Sequence, residues 1–112
     1  MNCLFCSIIK GDIPSSKVYE DELCYAFRDI NPQAKVHVLI VPKLHVASCD
    51  EINEKTKDTV GHIFSVIPEI AKSLGLGNGY RVVTNVGEDG CQSVKHLHFH
   101  ILGGEKLSEN MA

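Results

Sequence analysis

Three of the chain's six histidines occupy alternate positions in His96-Leu97-His98-Phe99-His100. Imidazole is a neutral nucleophile near physiological pH, a proton carrier and a metal ligand. Alternate side chains of a β-strand share a face, with Cα atoms about 6.5–7 Å apart. The pattern therefore predicts a row of imidazoles on one face, with Leu97, Phe99 and Ile101 pointing into a core. Three readings follow: a half-buried strand whose outer face happens to be histidine, a metal site built from all three rings, or a nucleophilic site. Strict alternation beside the glycine-containing segments Gly87–Gly90 and Gly103-Gly104 favours chemistry over coincidence.

The cysteines suggest a second centre. Five is an odd number, and no secretion signal accompanies them, so a disulfide framework is a poor reading. Cys3 and Cys6 form a C-x-x-C pair, whereas Cys24, Cys49 and Cys91 stand alone. A redox C-x-x-C follows a strand and opens a helix within a βαβ unit, and only Met1-Asn2 stand before this one. Reduced thiols that bind metal are the better expectation, with further ligands supplied from elsewhere in the chain.

The elements that must position these groups are legible from periodicity. Leu4–Lys10 has helical apolar spacing and stops at Gly11. Ile13–Ser16 is a turn, and Lys17–Tyr19 and Cys24–Asp29 form a hairpin across Glu20-Asp21-Glu22. Asn31-Pro32-Gln33 breaks the chain, and the β-branched run Val36–Val41 before Pro42 predicts a central strand. From Asn53 to Leu74 apolar residues recur at three and four, predicting an amphipathic helix with Gly75 at its C-cap. Pro68 inside that run predicts a kink or a late start. Tyr80–Val86 and Leu97–Leu102 are the last strands, and the residues after Gly104, about 105–112, read as a loosely held tail. Hairpin strands, one long helix and two further strands imply an antiparallel α+β domain.

Composition bounds the answer. A chain of 112 residues, 44% hydrophobic and 22% charged, fits a single globular domain over 1–112. A net charge of −3 gives no overall positive field for a nucleic-acid polymer, so any phosphate must be held by local groups. Runs such as Val38–Val41 are too short to span a bilayer. The start Met1-Asn2-Cys3-Leu4-Phe5-Cys6 has no basic, signal-like character, so a cytoplasmic location is expected.

The stretch His96–Leu102 resembles the defining pattern of the histidine-triad (HIT) hydrolases, in which hydrophobic residues separate three histidines and two more follow. The likeness covers nearly the whole chain. Cys3–Pro14 is similar to the family's amino-terminal signature, Ala26–Ala34 with Val41–His45 to its middle one, and Gly90–His96 to the lead-in of the Hint-like branch. The resemblance implies the HIT fold: a five-stranded antiparallel sheet with one long and one or two short helices, assembled as a homodimer. It also implies a two-step mechanism in which His98 attacks an α-phosphorus and water hydrolyses the nucleotidyl-histidine. His98, His100, His96 and Ser93 are then the catalytic set. A backbone carbonyl of the triad strand would hold the other nitrogen of His98. His100 would contact phosphate oxygens and pass a proton to the leaving amine, and Ser93 would steady the same oxygens. Asp29 would bind the ribose hydroxyls, unless it serves only as an Asx-turn residue. Phe5, Ile8, Phe27 and Ile30 would form a base slot, while Asn85, Gln92 and His37 would lie near the phosphates.

The same resemblance places His45 and His96 beside Cys3 and Cys6 as ligands of a structural Zn2+, with no cofactor needed for catalysis. The alternative is a metal-free thiol pair with His96 hydrogen-bonded instead. Cys91 stands where many relatives carry glycine, beside Ser93, and so bears on the shape and redox sensitivity of the phosphate loop. Three functions follow: a purine nucleotide phosphoramidase, a dinucleoside polyphosphate hydrolase, or a nucleotide-binding adaptor with little turnover. The short chain and Gln92-Ser93-Val94 favour the first, and His100 argues against the superfamily's transferases, which carry glutamine there.

Overall fold

The structure, a computed structural model, describes residues 3–110. Its elements are α1 (Leu4–Lys10), β1 (Lys17–Glu20), β2 (Cys24–Arg28), β3 (Val36–Pro42), a 3-10 turn (Cys49–Glu51), α2 (Lys57–Ser73), β4 (Tyr80–Val83) and β5 (Phe99–Gly103). The strands form one antiparallel sheet in the order β1-β2-β3-β5-β4. This is the expected α+β architecture.

The sheet is covered on both faces. Alternation along β2, β3 and β5 sends Ala26, Val38, Ile40, Phe99 and Ile101 into a core with Ile63, Ile67 and Ile70 of α2. The intervening residues Tyr25, Phe27, Leu39 and Val41 face a second cluster with Cys3, Phe5 and Ile8 of α1. Two-sided burial explains why β2 and β3 are near-continuous apolar runs. The histidine face is the α1 face.

α1 needs external support, because a seven-residue helix is unstable alone. Its N-cap is Cys3, whose Sγ accepts from the Cys6 amide at 3.4 Å. At its end Gly11 adopts φ 85° and returns its N–H to the carbonyls of Ser7 and Ile8.

Several boundaries differ from expectation, each for a local reason. α2 starts at Lys57 rather than Asn53, because Asn53–Thr56 forms a capping turn in which the Asn53 amide donates to Thr56 Oγ1 and the Lys55 amide to Asn53 Oδ1. The helix then runs through Pro68, overturning the late start. Pro68 is exposed, so the Phe64 carbonyl that lost its donor lies on the solvent side. Gly75, with φ 76°, follows the last turn as expected. β4 stops at Val83 rather than Val86, and β5 begins at Phe99 rather than Leu97, because hydrogen bonds outside the ladder hold the intervening residues. Within the tail, the Lys35 amide donates to Glu105 Oε2 at 2.7 Å and the Arg81 guanidinium to the Ser108 carbonyl. Met111 and Ala112 lie outside the described residues. Among the described residues, no helix is long and apolar enough to cross a membrane.

Candidate active site and metal centre

His96 and His98 precede β5, where the chain has left both neighbouring ladders. The last pairs are Ile40 with Phe99 and Val83 with His100. Three other bonds hold this segment. The Leu97 amide donates to the Val46 carbonyl at 2.6 Å, His96 Nε2–H to the Pro42 carbonyl at 2.8 Å, and Thr84 Oγ1–H to the His98 carbonyl at 2.7 Å.

His98 is buried, and its Nδ1–H donates to the backbone carbonyl of His96 at 2.8 Å. That bond fixes the neutral tautomer and leaves Nε2 with a free lone pair. The ring is packed edge-on by Phe5 and by His100, each with ring centres 5.1 Å away. Burial pushes His98 below the usual imidazole range, so the ring is neutral at physiological pH.

A chain of hydrogen bonds orders the neighbouring rings. The Gln33 amide donates to His37 Nδ1 at 3.0 Å, so the proton of neutral His37 sits on Nε2. His37 Nε2–H then donates to His100 Nδ1 at 2.8 Å, and the proton of His100 is left on its own Nε2. Burial and the adjacent His98 and His37 push His100 down to about 4, and burial also lowers His37. Asp29 Oδ2 lies 3.5 Å from His37 Nε2, while its Oδ1 accepts from the Asn31 amide at 2.8 Å. The carboxylate thus closes an Asx-turn and still faces the histidine row. One ring offers a lone pair, and its neighbour offers an N–H.

Phe5, Ile8 and Phe27 are buried on the α1 face, with Phe5 and Phe27 in edge contact. Ile30 is 92% exposed at the turn after β2 and contributes only a rim. Asn85 is half-buried, and its amide donates to the Gly90 carbonyl at 2.8 Å. Gln92 is buried. Its Oε1 accepts from the Gly87 amide, and its Nε2 donates to the carbonyls of Ala47 and Val94, so it braces the 87–94 loop. Ser93 is exposed on that loop, and Cys91 there has φ 59°. Thr84 and the Gln33 amide had no sequence signal, because their partners are carbonyl and ring atoms that only the fold brings near.

Cys3, Cys6, His45 and His96 converge with their ligand atoms within 4.8 Å of one another. Cys3 Sγ lies 3.3 Å from His96 Nδ1, Cys6 Sγ 3.4 Å from His45 Nδ1 and 3.5 Å from His96 Nδ1, and the two Nδ1 atoms are 3.1 Å apart. Ligands around a tetrahedral zinc at ordinary bond lengths stand about 3.3–3.8 Å apart. The bond from His96 Nε2–H to Pro42 keeps the proton off Nδ1, the atom aimed at the cluster. Burial, with Cys3 alongside, pushes the Cys6 thiol up. Donor types and tautomer fit zinc, and the sulfur–nitrogen distances lie close to the tetrahedral spacing.

Comparison with known proteins agrees with this geometry. The HIT domain profile matches residues 10–107. The chain is 48% identical over 107 residues to the 14 kDa zinc-binding protein of Zea mays, covering 94% of this chain and 84% of that one. Its fold matches the HIT family hydrolase from Clostridium thermocellum with a TM-score of 0.95 and 46% identity, over 99% of this chain and 97% of that one. It also matches the histidine triad nucleotide-binding protein from Candida albicans with a TM-score of 0.82 and 37% identity, over 99% of this chain and 87% of that one. The free lone pair beside an ordered row of imidazoles, on this fold and with these relatives, makes the chain a member of the HIT family.

Proposed function

We propose that the protein is a purine nucleotide phosphoramidase, a nucleotidyl hydrolase acting at the α-phosphate. The observation that carries this reading is the 2.8 Å bond from His98 Nδ1–H to the His96 carbonyl, which leaves Nε2 unprotonated on a neutral ring. His98 Nε2 attacks the α-phosphorus, the P–N bond breaks, and the amine leaves with a proton drawn from solvent, which is returned when water hydrolyses the cationic adduct. His100, whose single N–H is at Nε2, donates to a phosphate oxygen and serves the proton transfer to the amine. Water then cleaves the histidine–phosphorus bond, releasing the nucleoside monophosphate and restoring the ring. Ser93 and Asn85 border the phosphate, Asp29 takes the ribose hydroxyls, and Phe5, Ile8, Phe27 and Ile30 border the base.

Cys3, Cys6, His45 and His96 would hold a zinc ion. When bound, the ion supplies a structural cross-link, since four protein ligands leave no open coordination position. We further infer a homodimer formed through the free edge of β4 and the half-exposed Phe64 of α2.

Steady-state hydrolysis of an adenosine phosphoramidate by the native protein and by His98→Asn tests the reading. The expected result is turnover by the native protein and a loss of at least about 10³-fold in the folded variant. Equal weak activity in both would instead favour a nucleotide-binding adaptor.

A further inference from the structure

We propose that Thr84 is a positioning residue for the nucleophile, holding the backbone of His98 through its hydroxyl. The inference rests on the reading of His98 as the attacking group. His98 lies one residue beyond the last pair with β3 and two beyond the last pair with β4, so no main-chain N–H of β3 or β4 is paired with its carbonyl. In its place Thr84 Oγ1–H, from the first residue after β4, reaches that carbonyl at 2.7 Å.

Two bonds then frame one residue from opposite ends. The side chain is fixed by Nδ1–H to the His96 carbonyl, and the following peptide plane is fixed by the Thr84 hydroxyl. With the peptide plane held, the Cα–Cβ direction of His98 is held, and with it the line along which Nε2 meets phosphorus. A half-buried carbonyl that loses its donor turns to find another, and the ring turns with it. Displacements near 1 Å are enough to slow a reaction about 10²-fold. Thr84 also adjoins Asn85, whose amide ties down Gly90, so the same short segment links the nucleophile to the loop carrying Ser93.

Thr84→Val keeps the β-branched shape and removes only the hydroxyl, whereas Thr84→Ser keeps the hydroxyl and removes the methyl group. Kinetics on an adenosine phosphoramidate and 1H–15N spectra of the histidine rings would be recorded for the native protein and both variants. The expected result for Thr84→Val is a kcat about tenfold lower with KM within twofold, together with displaced His98 ring resonances, while Thr84→Ser stays near the native values. Native kcat and unmoved His98 resonances in Thr84→Val would overturn the proposal, as would a Thr84→Ser variant as impaired as Thr84→Val. If Thr84→Val does not fold, Thr84→Ala takes its place under the same criteria. If the native protein shows no turnover, the phosphoramidase reading fails, and the ring resonances alone decide the role of Thr84.

Discussion

Among the described residues, two clusters bring cysteine and histidine together, and they behave as opposites. On the α1 face, Cys3, Cys6, His45 and His96 aim their ligand atoms at one another. Behind the sheet, Asp21, Cys24 and His62 also converge, where the β1–β2 turn meets α2. There every carboxylate lone pair already has a donor. Oδ1 of Asp21 accepts from the Leu23 and Cys24 amides at 2.8 and 2.9 Å, and Oδ2 from Tyr19 O–H at 2.8 Å and from His62 Nε2 at 2.6 Å. Burial and the neighbouring carboxylate push the Cys24 thiol up to about 12, so it stays protonated beside Asp21. The first cluster aims the unprotonated Nδ1 of His96 at two sulfurs, whereas the second pairs acceptors with hydrogens and so pins a helix to a hairpin. Proximity of ligand types does not distinguish a metal centre from a tether. The direction in which protons and lone pairs point does.

The sharpest way to break the contrast is to remove one side of the first cluster. Purified protein should carry about one zinc per chain by elemental analysis, and Cys3→Ser should carry none. If the ion is held about a thousandfold below its ambient concentration, its loss costs about 4 kcal/mol, or a fall in Tm of roughly 15 °C. Zinc-free native protein with the same Tm as the variant would erase the distinction. Substitution in the second cluster should cost less and leave zinc content untouched. Asp21→Asn replaces a carboxylate that accepts four hydrogen bonds, at about 2 kcal/mol and roughly 8 °C.

The second cluster also has a signature in acid. Burial acts to raise the Asp21 pKa, but the bonds from His62, Leu23, Tyr19 and Cys24 outweigh it and hold the carboxyl well below its ordinary range. A lowered carboxylate stabilises the fold fully above the unfolded value, near 4, and loses that contribution as pH falls below it. The Tm gap between native protein and Asp21→Asn should therefore narrow between about pH 4 and 2, and a constant gap would refute the assignment. The smallest effect belongs to His62→Gln, at about 1 kcal/mol, or roughly 4 °C in thermal denaturation, with full zinc content and unchanged turnover.

Much of the fold and of the site could be read from residue order, because both depend on periodicity and on long local motifs. The alternation of His96, His98 and His100 against Leu97, Phe99 and Ile101 places the rings and the core on opposite faces. The apolar spacing of Val60–Leu74 likewise locates the helix that covers one side. What remained hidden depends on where ladders stop. Thr84 reads as one more β-branched residue after Val82-Val83, and only the end of pairing at Val83 turns its hydroxyl into a partner for His98. Asn53 looks like the start of the long helix, but its side chain closes a turn ahead of it instead. Gln92 looks like a phosphate contact in sequence, yet in the fold its whole amide serves three backbone groups. The second cluster lay equally out of view, since Asp21 and His62 are 41 residues apart and no periodicity links them.

His96 contributes to the two centres with different parts of itself. Its imidazole belongs to the cysteine cluster, but the oxygen that receives the His98 proton belongs to the main chain. Any amino acid at that position would bring the same oxygen. A substitution there can remove the ring from the cysteine cluster, while the setting of the His98 ring passes on through a peptide group that no codon change can delete.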